Sequence, residues 1–226
     1  MTDARRVDYT GEGLSEAQVA ATPWQQARLW VSEALARADA QDDVPEPLAL
    51  SVATVDGDGM PNVRTVLMRF FDDRGPGFVT GTQSSKGVEI AATGGLAASL
   101  TWPAMFRAIR FRGRAEELGR EEVTAYFGSR PWASRISAWA SRQSQPVEGR
   151  TGLEAAYSRY AAQFPDRGNP HDVPVPDFWG GYRVVCEEVE FWAGRRNRLH
   201  DRLVFTRIGS GSLDGAGAWR LWRRQP

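Results

Sequence analysis

The chain has one cysteine, Cys186, and two histidines in 226 residues. One thiol cannot close an internal disulfide. One thiol and two imidazoles leave little from which to build a Cys- or His-ligated metal centre. Charge of one sign is also missing, because 28 Lys and Arg are matched by 28 Asp and Glu. A generic nucleic-acid or membrane-surface binder needs a cationic excess to engage phosphates, so neither partner is expected. No apolar run approaches the roughly 20 residues that span a bilayer. The first ten residues, MTDARRVDYT, lack the hydrophobic segment of a secretory signal. The motifs GxSxG, HExxH and the Walker A loop are all absent. These absences point to a soluble, reduced, cytoplasmic protein without a metal or one of the common hydrolase motifs.

The composition that remains is that of a folded chain. The hydrophobic fraction is 42% and the charged fraction 25%, which argues against wholesale disorder. Nine tryptophans are many, and aromatic surface often lines ligand sites and interfaces. Neither an internal repeat nor a clear linker divides the chain.

Residues 1–14 are polar and Gly-containing and read as a mobile arm. A helix should start at Thr22-Pro23, with Thr22 as N-cap, Pro23 in the first turn and Gln25 placed for a capping box. Trp24, Ala27, Val31, Ala34, Leu35 and Ala38 would form its buried stripe. Strands are expected over 47–55 and 62–71 around the DGDG turn, then over 77–82, 96–102 and 106–118. In the last of these, Arg110, Arg112 and Arg114 alternate with Ile109, Phe111 and Gly113, the pattern of one wet face. A short helix capped by Ser84 falls between them. Helices are expected over 120–129, 131–141 and 151–164, and strands over 181–192, 200–208 and 218–224. Short connections favour antiparallel pairing, so the fold class is α+β, with an antiparallel sheet or barrel of about six strands and helices between them.

Four segments carry chemistry. TGTQSSKG (80–87) places small hydroxyl residues and Lys86 at a helix start, where N–H groups and an ammonium can cradle an anion. A capped surface helix explains the same residues. Arg64 and Arg69 interrupt an apolar strand with opposite parity, so each must find an anion, a salt bridge or water. Tyr126, Arg130 and Ser134 recur at spacings of four. On a roughly helical segment they share a side and suit a phosphate monoester, although Pro131 invites a break and a solvated junction is the alternative. In EFWAGRRNRLHDRL (190–203), Arg198, His200 and Arg202 alternate on an expected strand beside Trp192. Such a cationic wall next to an indole suits an anionic aromatic ligand, while a lone structural histidine is the plain alternative. Cys186 reads as a small buried hydrophobe.

Taken in order, RTVLMR (64–69), SSKG (84–87), YFGSRPWASRISAWASRQS (126–144), FWGGYRV (178–184) and VEFWAGRRNRLHDRL (189–203) resemble the pyridoxine/pyridoxamine 5'-phosphate oxidase family. The resemblance runs from about residue 45 to the C-terminus. RRVDYTGEGL (5–14) is similar to the family's arm, which folds over the substrate. The resemblance implies a split β-barrel homodimer of antiparallel strands with flanking helices, with an arm over residues 1–20 and one domain over 21–226. It implies FMN at the subunit interface, and oxidation of a phosphorylated B6 vitamer to pyridoxal 5'-phosphate with O2 as acceptor, giving H2O2. By position, Arg64, Thr65, Val66, Leu67 and Met68 would line FMN, largely through backbone. Val79, Thr80, Ser85 and Lys86 would lie at its phosphate and ring edge. Gln143 and Ser144 would reach FMN from the other subunit, with Trp192 and Arg202. Arg69, Tyr126, Arg130 and Ser134 would hold the substrate phosphate, and Arg198 and His200 would flank the pyridine ring as the catalytic pair.

The chain departs from the family pattern at four places. Arg69 stands where the family usually has Lys, Ala108 where it has Gln, Val79 where it has an aromatic residue, and Ser85 where it has Arg. The substrate-phosphate set is therefore better kept than the flavin set. Two other functions fit the same likeness. One is a related flavin oxidase acting on a dihydro-aromatic, phenazine-type substrate. The other is a non-catalytic barrel that holds a cofactor.

Overall fold

The computed structural model describes residues 8–226. The first seven residues of the expected arm lie outside that range. Helix α1 (Pro23–Ala40) begins where the sequence places it, with Thr22 Oγ1 accepting the Gln25 N–H at 3.3 Å. The capping box does not close, because the Gln25 side chain donates to Asp214 instead, at 3.0 Å. Ala27, Trp30, Val31 and Ala34 form the buried stripe, while Leu35 turns outward.

Nine strands make one sheet with every pairing antiparallel, against about six expected for the sheet; they correspond to the eight expected segments with 62–71 divided in two. They are β1 (Ala49–Val55), β2 (Pro61–Leu67), β3 (Phe70–Asp72), β4 (Gly75–Gly81), β5 (Gly95–Trp102), β6 (Arg107–Glu117), β7 (Trp179–Ala193), β8 (Asp201–Arg207) and β9 (Trp219–Arg223). The order is β2-β1-β5-β6-β7-β4-β3, and β8 and β9 continue from β7. Helix α2 (Ser85–Thr93) links β4 to β5, and α3 (Arg120–Ser129), α4 (Trp132–Ala140) and α5 (Gly149–Gln163) lie between β6 and β7. The result is an antiparallel half-barrel with helices, as expected.

The stretch expected as a single strand over 62–71 is broken. Up to Leu67 it pairs with β1, and the Met68 N–H still reaches Leu48 O at 2.9 Å. From Arg69 it changes partner, with the Arg69 N–H on Gly77 O at 2.8 Å and Phe70 opposite Gly77. The opposite-parity argument for Arg64 and Arg69 fails with it, since parity counts only along an unbroken strand.

Strand β7 is the spine of the sheet. One edge pairs with β6 throughout, and the other pairs first with β4 and then with β8. A register shift after Arg112 bends the β6–β7 ladder. Gly113 permits it, because a Cβ there would stand 2.0 Å from Val185 O. On the inner face, Leu50, Val52, Leu100, Ile109, Phe111, Val189 and Phe191 make the main core. On the outer face Arg110, Arg112 and Arg114 are exposed, the expected wet side of β6. A second, smaller core of Val123, Phe127, Ile136 and Trp179 seats α3 and α4 at the start of β7. Among the described residues no helix is long and apolar enough to cross a membrane.

Candidate functional site

The chain builds two polar clusters close to each other and a third far from both. The first gathers at the mouth of α2. Ser84 caps the helix, its hydroxyl accepting the Gly87 N–H, and Gly87 has no Cβ to collide with Thr82 O, 2.1 Å from that position. The tight turn buries Lys86. Its Nζ donates to Thr80 Oγ1 at 2.9 Å, Ser84 Oγ at 3.1 Å and Gln143 Oε1 at 3.3 Å. Burial and the nearby Arg64 lower the Lys86 pKa, and Glu89 opposes them. The same Gln143 oxygen accepts from Thr80 Oγ1 at 2.8 Å and from the Gly81 N–H at 3.1 Å. Three donors on one oxygen form the arrangement a phosphate oxygen would take over, so these residues fit a phosphate ester such as FMN.

Arg64 joins this cluster from β2. Its guanidinium donates to Thr54 Oγ1 at 2.5 Å and to Glu89 Oε2 at 2.9 Å, so it has found the salt bridge that the sequence left open. Glu89 also takes Asn62 Nδ2 at 2.9 Å. Burial pushes the Glu89 pKa up, but the hydrogen bonds from Thr54, Asn62 and Arg64 outweigh that and hold it below the ordinary value. Sequence reasoning missed Glu89. Its place three residues after Lys86 on a short helix was the available signal.

The second cluster lines a cleft of about 500 Å³ walled by Val66, Leu67, Arg69, Val79, Tyr126, Arg130, Pro131 and Ser134. All four residues expected at the substrate phosphate line it. They do not share one helix, because α3 stops at Ser129, Arg130 is extended and α4 starts at Trp132. The break at Pro131 turns the two helix ends toward the same space. Arg130 lies over the Trp179 ring at 5.0 Å and the Phe127 ring at 5.7 Å. Its Nη1 is buried and without a hydrogen-bond partner among the described residues. Burial holds its pKa below the ordinary guanidinium value, Tyr126 opposing and Arg69 adding to the effect. Tyr126 stacks on Trp179, with ring centroids 6.2 Å apart and planes at 3°. Two arginines lining one cleft, one of them half-buried, make a site that calls for an anion.

The remaining cofactor candidates divide. Met68 is 2% exposed and its side chain belongs to the core, so it can offer the cleft no side chain. Thr65 and Ser85 are exposed, and Ser144 is exposed with a φ of 68°. Gln143, expected at the other subunit's flavin, contacts Thr80, Gly81 and Lys86 of its own chain. Lying three residues past the end of α4, it folds back that way.

The third cluster lies at the far end of β7. The alternation expected for Arg198, His200 and Arg202 is not realised, because β8 starts only at Asp201. Arg196–Arg198 form a 3-10 turn, and Asn197 and Arg198 both have left-handed backbones, with φ of 58° and 62°. His200 packs between Trp192 at 4.8 Å and Tyr9 of the arm at 5.1 Å, and its Nδ1 accepts the Arg195 N–H at 3.0 Å. Arg202 is forked onto the buried Glu190 at 2.9 and 2.8 Å. Glu190 also receives Arg224 at 2.8 Å and Arg110 at 2.5 Å, and it too was missed from sequence.

Trp179 carries Arg130 at one end of β7, and Trp192 carries His200 near the other. At about 3.3 Å per residue, these positions stand on the order of 40 Å apart along an extended strand. Within one chain the third cluster cannot meet the cleft.

Comparison with known proteins places this geometry. Residues 36–164 match the family model described as pyridoxamine 5'-phosphate oxidase. Residues 179–226 match the model described as the pyridoxine 5'-phosphate oxidase C-terminal dimerisation region. The pyridoxine/pyridoxamine 5'-phosphate oxidase of Kineococcus radiotolerans is 44% identical over 98% of this chain and 97% of its own length. That of Gloeothece citriformis is 46% identical over 88% and 89%. Among solved structures, PhzG from Burkholderia lata 383 in complex with tetrahydrophenazine-1-carboxylic acid superposes with a TM-score of 0.81 at 29% identity, covering 96% of this chain and all of that one. A pyridoxamine 5'-phosphate oxidase-related, FMN binding protein from Nostoc punctiforme shares the fold, with a TM-score of 0.68 at 19% identity over 90% of this chain and 98% of its own.

Proposed function

The chain belongs to the pyridoxamine 5'-phosphate oxidase family of FMN oxidoreductases, and from that premise we propose that it oxidises pyridoxine or pyridoxamine 5'-phosphate to pyridoxal 5'-phosphate. O2 is the acceptor and H2O2 the second product; with the pyridoxamine form, water also enters to supply the aldehyde oxygen and ammonia leaves. The observation that carries this reading is the convergence of the half-buried Arg130 with Arg69, Tyr126 and Ser134 on one cleft. Two guanidiniums and two hydroxyls match the charge and acceptor count of a phosphate monoester.

When bound, FMN supplies the two-electron redox chemistry that no side chain here can provide. Lys86, Thr80 and the capped start of α2 would hold its phosphate, with Gln143 yielding the oxygen position it now fills. Glu89 keeps Arg64 beside them. Arg69, Tyr126, Arg130 and Ser134 would hold the substrate phosphate and so orient the exocyclic carbon that loses the hydride. Arg198 and His200 would face the pyridine ring, and Trp192 and Arg202 the flavin.

The length of β7 supports a site shared between two copies, each giving its cleft to the other's Trp192–His200 end. The dimerisation region matched over 179–226 spans that end. The outer sheet face offers a floor for such a partner, with Ser51, Ala53, Ala97 and Ser99 forming a shallow apolar cavity beside Arg110 and Arg112.

A second reading, oxidation of a dihydro-aromatic acid, is favoured by the likeness to the PhzG complex. One assay separates the two. H2O2 release is measured with FMN present on pyridoxine phosphate, pyridoxamine phosphate, unphosphorylated pyridoxine and a dihydrophenazine acid. Turnover of the phosphorylated vitamers alone supports the first reading; turnover of the phenazine acid alone overturns it.

A further inference from the structure

The segment between Arg195 and His200 is a closed turn with an unusual backbone. Asn197 and Arg198 are consecutive residues in the left-handed region, with φ of 58° and 62°. Residues other than Gly reach this region at a cost, and Asn bears it better than most because its short amide can satisfy local backbone groups. Two such residues in a row reverse the chain sharply enough for the Arg195 N–H to meet His200 Nδ1 at 3.0 Å. A backbone N–H can only donate. The ring nitrogen facing it must therefore be an acceptor, and in the neutral ring the proton then sits on Nε2.

We propose that Asn197 is a positioning residue: its left-handed backbone closes the Arg195–His200 turn, which presents His200 as a neutral ring with Nδ1 engaged and with Nε2–H, unpartnered among the described residues, donating a hydrogen bond to an acceptor on the substrate ring. The proposal rests, for its functional part, on the oxidase reading above. In this role His200 donates and does not act as the base, and no proton need leave it.

The surroundings agree. His200 is wedged between Trp192 and Tyr9, whose ring centroids lie 4.8 and 5.1 Å away. The charged groups around it are Arg195 and Arg198 of its own turn and Asp201 next in sequence, and Tyr9 is the titratable group facing it from the arm. Asp201 is already committed to Arg223 at 2.5 Å, to the Leu14 N–H at 3.1 Å and to Arg195 at 3.4 Å. Little negative charge is left to favour an imidazolium. Burial and Arg198 lower the His200 pKa, and Asp201 only partly opposes them. Protonation at Nδ1 would set a donor against the Arg195 N–H and open the turn.

The chain's two histidines make the test direct. In 15N-histidine-labelled protein, His171 is exposed and serves as the reference. Long-range proton–nitrogen spectra across a pH series read the tautomer and titration of His200. The wild type and Asn197→Gly, which keeps access to the left-handed region, should both show the Nε2–H tautomer and titrate below the ordinary histidine range. Asn197→Val, whose branched side chain resists that region, should show mixed tautomers and a titration moved toward His171. Asn197→Ala is a milder version that guards against misfolding and should fall between them. With pyridoxine phosphate, Asn197→Val should lose about tenfold in kcat, the effect of one misplaced hydrogen bond, with FMN affinity retained and activity restored in Asn197→Gly. An Nδ1–H tautomer in the wild type, or spectra unchanged in both Asn197→Val and Asn197→Ala, would overturn the proposal. Normal spectra with no turnover of any B6 phosphate would overturn the oxidase reading and leave the positioning role standing.

Discussion

Replacing Arg130 separates ligand binding from folding. Its Nη1 is buried with no partner among the described residues, so this side chain bears an unmet desolvation cost. What it gives back is contact with Trp179 and Phe127, at 5.0 and 5.7 Å from the guanidinium carbon. A cation over an aromatic ring is worth about 0.5–1 kcal/mol when exposed and about 2 kcal/mol when desolvated, and Arg130 lies between these limits. Arg130→Met keeps much of the volume and removes the charge, so the two effects nearly cancel and the melting temperature should move by no more than a few degrees. The substrate phosphate, in contrast, loses a charge-assisted hydrogen bond of about 1.5–3 kcal/mol. That corresponds to a rise in KM of about tenfold to a hundredfold. The phosphate does not react, so kcat should change little. Arg130→Lys should recover only part of the loss, because an ammonium on a flexible stem cannot reproduce the planar fork held against Trp179. Steady-state H2O2 release and thermal melts on the same preparations test this. A fall in kcat at constant KM, or a melting temperature lowered by ten degrees or more, would refute the clamp.

Three other outcomes follow from the same geometry. If Arg130 of one copy meets His200 of the other, an equimolar, re-equilibrated mixture of Arg130→Ala and His200→Ala chains should regain roughly a quarter of wild-type activity, since half the dimers are mixed and each holds one intact site; no recovery would place both residues in one chain's site. Cys186 is buried and its pKa is pushed up to about 12, so a disulfide reagent at pH 8 should leave it untouched until the protein is unfolded. Burial pushes the Glu190 pKa up, but Arg202, Arg110 and Arg224 outweigh it and hold the group below its ordinary value. Its contribution is therefore present above the unfolded-state value of 4.5 and lost as pH falls through the lower folded value. Glu190→Gln should be less stable than wild type at pH 7, with the gap closing as pH falls below 4.5, as denaturant melts across that range would show.

Much of the fold was legible because local rules and the final structure agreed. Thr22 and Ser84 cap helices as their residue types demand, and the arginine alternation in β6 marks its wet face. Reading 62–71 as one strand failed where the chain exchanges β1 for β4 at Met68 and Arg69, since an apolar run carries no sign of which neighbour it pairs with. The strand expected over 200–208 is present as β8, but the alternation carried back through His200 to Arg198 failed for a related reason. Period-two spacing of Arg198, His200 and Arg202 is also produced by a turn, and the left-handed backbones of Asn197 and Arg198 distinguish the two.

The sequence by itself determined the ingredients: balanced charge, one inert thiol, a capped helix carrying Lys86, and a Tyr-Arg-Ser set suited to a phosphate ester. Those properties belong to residue chemistry and to spacing within a few positions, which covalent geometry controls. Tertiary structure alone decided which ingredients meet. It set Glu89 on Arg64, Glu190 on Arg202 and Gln143 on its own chain's Lys86, and it put His200 a full strand away from Arg130. Such encounters depend on where a sheet bends and which strands pair, and those are settled by packing the whole core at once.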